Sequence, residues 1–158
     1  MWYDYIHWSQ LRSVVSQALC PDTWIAFHQS CYLFAQHENT NFTEAEQFCA
    51  AHGANLVNID DVHENNFVFS VVQDQLVVLW WIGLTDSIIE GEWKWIPRDN
   101  SPSFTNWAGG QPENHSSRDQ DCAVVHSSYH YTWHDDSCTA INHPICEKPT
   151  GSETILVG

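Results

Sequence analysis

Basic residues are what this chain has least of. Five lysines and arginines stand against 20 aspartates and glutamates, a formal net charge of -15 over 158 residues. A surface that neutralises nucleic-acid phosphates needs a basic footprint, so that partner class is excluded. Adsorption to an anionic membrane surface is disfavoured on the same ground, and an acidic, solvated surface is the simplest use of the charge. Long apolar runs are missing too. Val68 to Leu79 is broken by Ser70, Gln73, Asp74 and Gln75, short of a bilayer span, so no membrane insertion is expected. The start, Met1-Trp2-Tyr3-Asp4-Tyr5, lacks the basic-then-apolar order of a signal peptide. No Cys-x-x-Cys pair occurs among the six cysteines, which removes most structural zinc patterns and the thioredoxin-type redox motif. Six cysteines alone leave about 15 pairings open.

What is present fits one domain, given the length. Hydrophobic residues at 43% and 9 tryptophans indicate a packed core rather than a disordered acidic segment. The cysteines, with the sequons Asn41-Phe42-Thr43 and Asn114-His115-Ser116, suit a secreted, extracellular protein. The expected reading is a mature chain whose leader was removed, with Met1 added for expression. Residues 1–19 place Trp2, Tyr5, Trp8, Leu11, Val15 and Leu19 three or four apart. That spacing fits either one stripe of an amphipathic helix or an extended arm laid on the domain. Either way the apolar surface suits a partner subunit, and a non-covalent homodimer is expected.

From Cys20 the chain reads as a turn and hairpin into Ser30-Cys31-Tyr32-Leu33-Phe34. Thr43-Glu44-Ala45-Glu46 reads as a capping box, with Thr43 and Glu46 reciprocal, opening a helix that stops near Gly53. Asp61-Val62-His63-Glu64 opens a second helix in the same way, burying Phe67 or Val68 with Val71 and Val72. Leu79 to Leu84 is a buried strand. Thr85 to Gln120 has little periodicity and much Gly, Pro, Asn and Ser, a long loop of the kind usually tied to function. Cys122 to Val125 and Pro144 to Glu147 read as closing strands, and residues 149–158 as a tail.

Within that frame lie Trp81-Ile82-Gly83-Leu84, Trp107-Ala108-Gly109-Gly110-Gln111-Pro112-Glu113-Asn114, Asp121-Cys122, and Trp133-His134-Asp135-Asp136-Ser137-Cys138. Together with the placement of the cysteines, these segments resemble a long-form C-type lectin-like domain over residues 20–148, closest in kind to secreted invertebrate members. The resemblance implies an α+β fold: two helices, two small antiparallel sheets, a long loop region and three disulfides. It implies the pairs Cys20–Cys31, Cys49–Cys146 and Cys122–Cys138. On the chain-entropy account the second of these stabilises by about 4 to 5 kcal/mol.

In sugar-binding members a calcium ion sits on the loop, held by side chains flanking a cis proline and by an Asn-Asp pair after the tryptophan. Calcium suits such a loop because it takes several oxygen ligands with loose geometry. Carried over, the primary set is Gln111 and Glu113 around Pro112, Gln120 (or Asp119), His134 and Asp135. An auxiliary calcium position maps to Asp86, Glu90, Asn114 and Asp121. The departures from the family pattern matter. Gln-Pro-Glu is nearer the galactose-type Gln-Pro-Asp order than the mannose-type one. His134 stands where an Asn normally serves both ion and sugar, and imidazole nitrogen is a poor ligand for a hard ion. The expected function is therefore carbohydrate binding, with glycans ending in galactose or an N-acetylhexosamine as partners and calcium not strictly required. Gln111, Glu113, Asn114, Asp119, His134 and Asp135 would supply hydrogen bonds, and His115 or Tyr131 an apolar face for a sugar ring.

Two rivals stand beside this. A calcium-dependent galactose-type lectin keeps the usual chemistry, and a protein- or ice-binding member keeps only the fold. An enzyme is not expected, because no nucleophile–base or paired-carboxylate constellation stands out. His126, His130 and His134, four apart, could hold zinc with Asp135 or Glu113. Ser127-Ser128-Tyr129 between them suits a strand–loop–strand whose hairpin can part them, so they are read as ordinary surface histidines.

Overall fold

A computed structural model describes residues 20–113, 119–127, 130 and 132–151, and its plan follows from one strand. A hairpin of β1 (Ile25–Phe27) and β2 (Ser30–Phe34) leads to α1 (Phe42–Ala51), β3 (Asn55–Leu56) and α2 (Val62–Val72). Next come β4 (Leu79–Thr85), β5 (Lys94–Trp95), β6 (Cys122–His126), β7 (Thr132–Asp136) and β8 (His143–Pro149). The strands order as β1-β2-β8-β4-β6-β7, with β3 on β8 and β5 on β4. The two expected antiparallel sheets are present, but they are not separate. A short parallel pairing, Trp80 with His143 and Trp81 with Pro144, joins them through β4 and β8.

A strand buried on both faces reads as a continuous apolar run instead of an alternating one, and β4 is that strand. Trp80, Ile82 and Leu84 point into a core shared with Val68, Val72, Trp95, Trp133 and Ile145. Trp81 points the other way, into a second core with Phe42, Cys49, Cys122 and Cys146. Its indole N–H donates to the Thr40 carbonyl at 2.9 Å.

Both helix starts differ in detail from the sequence reading. The first cap is Asn41, not Thr43: its Oδ1 accepts from the Glu44 amide at 2.9 Å while Glu44 Oε2 accepts from the Asn41 amide at 3.0 Å. From that cap the helix carries Phe42 in its first turn, on one buried stripe with Ala45 and Cys49. In α2 the cap is Asp61, whose Oδ1 accepts from the His63 and Glu64 amides. Glu64 does not return to Asp61. It accepts from the Asp60 amide at 2.8 Å and from the Tyr32 hydroxyl at 2.7 Å. Val68 and Val72 are the buried apolar residues of this helix, while Phe67 is only partly covered. The Gly53 stop is confirmed by a positive φ of 66°.

All three expected disulfides form, Cys20–Cys31, Cys49–Cys146 and Cys122–Cys138, and no cysteine is free. No helix among the described residues is long and apolar enough to cross a membrane. The arm at 1–19 and its expected partner contact lie outside the described residues.

The long loop is tied down at its root. Gly83 donates to the Val57 carbonyl and accepts from the Ile96 amide, each at 2.8 Å. A Cβ at Gly83 would come within 2.7 Å of Asn58 Nδ2 and 2.9 Å of the Leu56 carbonyl oxygen, so only glycine permits this approach. Asn58 then bridges the Leu56 and Ile96 carbonyls and accepts from Arg98. Arg98 in turn grips both oxygens of Asp60.

Candidate functional site

Trp133 is the platform of the site. Its ring is fully buried and meets Trp95, Phe104 and Trp107 edge-on at 5.7, 5.8 and 5.9 Å. Its indole N–H donates to Asn65 Oδ1 of α2 at 3.0 Å. The backbone is used as well: Trp133 donates to the Asn106 carbonyl at 2.8 Å and accepts from the Ala108 amide at 2.9 Å. The loop at 106–108 therefore runs alongside β7. The turn that follows, with Gly110 at φ 86° and a cis Gln111–Pro112 bond, lays Gln111 against the residues after Trp133.

That contact is direct, since the Asp135 amide donates to Gln111 Oε1 at 3.2 Å. Asp135 itself is almost wholly buried at 7% exposure, and its Oδ1 has no hydrogen-bond partner. Burial pushes its carboxyl above the usual range, the charges of Glu113 and Asp86 add to the effect, and backbone hydrogen bonds at Asp135 and Glu113 oppose it. Gln111, Glu113 and Asp135 thus come together.

His134 joins them at the rim. Its Nε2 lies 3.3 Å from the Thr132 hydroxyl. Burial lowers its pKa, His126 lowers it further and Glu113 pulls it back. Of the other expected sugar contacts, Asp119 is exposed at the end of the loop, while Asn114, His115 and Tyr131 lie outside the described residues.

The auxiliary set converges around Asp86. Its amide donates to the Asp121 carbonyl at 3.1 Å, and its Oδ2 accepts from Gly91 at 2.9 Å. Its Oδ1 is buried without a partner, as is Gln120 Oε1. Burial raises the Asp86 carboxyl, with Glu90 adding to the effect. It raises Asp121 too, where Asp86 and Asp119 contribute. Asp86, Glu90, Asp119, Asp121, Glu113 and Asp135 are therefore one electrostatic neighbourhood.

Buried acceptors are nearly always paired. Three unpaired oxygens beside carboxylates that resist ionisation match what an oxygen-seeking divalent ion supplies. Asp86, Gln120, Asp121 and Asp135 fit calcium in donor type. The sugar-facing position fits less well, because His134 brings nitrogen and Gln120 brings an amide in place of a carboxylate. Among the described residues, no three His, Cys, Asp or Glu side chains already stand together as a metal-ligand set.

Two arrangements had no signal in the sequence. The first is the Trp133–Asn65 bond that hangs the site from α2, across 68 residues. The second is a cleft of about 570 Å³ lined by Phe27, Ser30, Tyr32, Asp60, Glu64 and Glu147. There burial raises the Glu64 pKa to about 7, the nearby charges of Glu147 and Asp60 adding to it. Only the spacing of Asp61 to Glu64 drew attention to that carboxylate, and then as a cap.

A family profile for the lectin C-type domain matches residues 38–148. The chain is 37% identical over 134 residues to mouse asialoglycoprotein receptor 2, covering 82% of this chain and 42% of that protein. It therefore spans about two fifths of that relative's length. Among solved structures, the carbohydrate-recognition domain of the mouse scavenger receptor C-type lectin superposes with a TM-score of 0.76 at 35% identity, covering 84% of this chain and 98% of that one. Herring type II antifreeze protein superposes with a TM-score of 0.74 at 29% identity, covering 84% and 100%.

Proposed function

Since this chain belongs to the C-type lectin domain family, we propose that it is a secreted lectin whose long loop binds glycans ending in galactose or an N-acetylhexosamine. The observation that carries the reading is the registered pair of segments at Gln111–Glu113 and His134–Asp135, joined by the Asp135 amide and Gln111 Oε1. A registered loop of this kind presents fixed polar groups to a ligand without having to order them first.

In this reading Gln111, Glu113 and His134 bond the sugar hydroxyls directly. An N-acetyl group adds a donor, an acceptor and a methyl, so such a sugar can be gripped by side chains alone. Calcium, where bound, is held by Asp86, Gln120, Asp121 and Asp135, and supplies positive charge that offsets the carboxylates beneath the loop. It is not the direct sugar contact, because His134 occupies the position from which the family's Asn serves both. Avidity for a cell surface requires more than one site, and a non-covalent homodimer would provide it, since every cysteine is used within the chain.

Calorimetry with N-acetylgalactosamine and N-acetylglucosamine, in calcium and again in chelator, tests this. Affinity should fall by less than about tenfold in chelator, or 1.4 kcal/mol, and His134→Ala should abolish it. Complete loss in chelator, restored by calcium, would establish the calcium-dependent alternative. The likeness to an antifreeze protein keeps a second reading in play, in which the fold binds something other than sugar. An empty glycan array under both conditions would select it.

A further inference from the structure

The hairpin between β6 and β7 does not separate its histidines as the sequence suggested. His126 pairs across the strands with Thr132, and His134 pairs with Val124, so the two imidazoles are diagonal neighbours on one face of the ladder. Their ring centroids lie 5.1 Å apart, tilted by 49°. Two imidazoles sharing one tetrahedral ion, with metal–nitrogen bonds of about 2.1 Å, place their centroids about 5 Å apart. The pair already stands at that separation.

We propose that His126 and His134 form an open surface site for a late-transition divalent ion, with zinc as the reference, its shell completed by water. Imidazole nitrogen suits zinc, copper and nickel and is a poor ligand for calcium: the softer ions accept what the hard one refuses. The substitution that weakens the calcium position is the one that creates this site.

The surroundings favour a cation. Glu113 acts electrostatically on His134, and Asp136 acts on His126. Neutral imidazole is the form that ligates. The Thr132 hydroxyl, 3.3 Å from His134 Nε2, sits on the same face and can orient a ring or a bound water. His130, at the hairpin turn with φ 51°, is not needed.

One consequence rests on the proposed sugar reading: zinc held by His134 ties a ring that would otherwise contact the sugar, so the two ligands change each other's affinity by the same factor. The metal site itself does not depend on that reading.

The test is a zinc titration of the full chain by calorimetry, in calcium-free and sugar-free buffer. Wild type, His126→Gln and His134→Gln are compared, each first checked for a wild-type thermal unfolding transition. One-to-one binding, weakened at least about tenfold in each variant and unmoved by excess calcium, is the expected result. Because other histidines can take zinc, the ring resonances of wild type are followed by NMR in parallel. Those of His126 and His134 should shift first. The proposal is overturned if His126→Gln binds zinc as tightly as wild type, if wild type shows no zinc binding, or if other rings respond first. A zinc site found in a chain that binds no sugar would sink the lectin reading alone.

Discussion

Replacing Glu64 with Gln should remove one large pH-dependent contribution to stability. Glu64 is 8% exposed and accepts from the Tyr32 hydroxyl and the Asp60 amide. Burial, then Glu147 and Asp60, hold its folded pKa at about 7 against an ordinary 4.5. A carboxyl raised by folding stabilises fully below its unfolded pKa, and that stability is lost as pH rises through the folded one. The window is therefore from about pH 4.5 to pH 7. At about 1.36 kcal/mol per unit, its full extent is about 3 kcal/mol, of which about 2.5 falls between pH 5 and pH 8.5. Gln keeps the local bonds: its oxygen can accept from the Asp60 amide while its amide donates to the Tyr32 oxygen. Urea unfolding of both proteins at pH 5 and pH 8.5 gives the difference directly. The acidic residues beneath the sugar loop titrate in both proteins and cancel. The variant should gain about 2.5 kcal/mol on wild type across that interval, a midpoint displacement on the order of 1 to 2 M urea. A difference that stays constant within about 0.5 kcal/mol would refute the burial account of Glu64.

Gly83→Ala should destabilise by about 1 to 3 kcal/mol with an unchanged urea slope, because the new methyl meets the Leu56 backbone as well as the Asn58 side chain. Trp133→Phe keeps much of the ring packing but leaves Asn65 Oδ1 buried without its donor. A loss of about 1 to 3 kcal/mol by thermal or urea unfolding is expected, with weaker sugar binding by calorimetry, since the indole also braces the loop through its edge contacts with Phe104 and Trp107. Deleting residues 1–19 should yield monomers by sedimentation if Trp2, Tyr5, Trp8 and Leu11 form the dimer contact, and an unchanged association state would remove that role.

Local chemistry was legible in the sequence wherever one short segment determined it. The apolar run at Leu79–Leu84 announces a strand covered on both faces, and Gly53 announces a helix end. The cysteine pairing became readable only through resemblance, since spacing alone leaves the alternatives open. The cap at Asn41 was missed because Thr43 with Glu46 has the same signature two residues later. Only Phe42 separates the two starts, and its burial in the first turn depends on a second core that exists only once the chain has folded. Val71, expected to be buried, is only partly covered, because apolar spacing marks a face but not how much of it a neighbour covers.

The site divides along the same line. Gln111, Pro112, Glu113 and Asp135 could be picked out because they lie in short motifs, while what holds them lies far away. Asn65 hangs Trp133 from α2, and Asn58 gathers Leu56, Ile96 and Arg98 at the loop root. These are single polar side chains with partners 38, 40 and 68 residues distant, and no periodicity records them. The histidines show the converse. Their spacing of four suggested nothing firm, because a loop of unknown course lay between them. The register of β6 on β7 turned that spacing into a diagonal pair. One substitution at position 134 is thus read twice, as the loss of an oxygen donor for calcium and as one half of a nitrogen pair. Only strand register distinguishes a defect in one site from the foundation of another, so zinc binding measured in His126→Gln, a residue outside the sugar loop, separates the two.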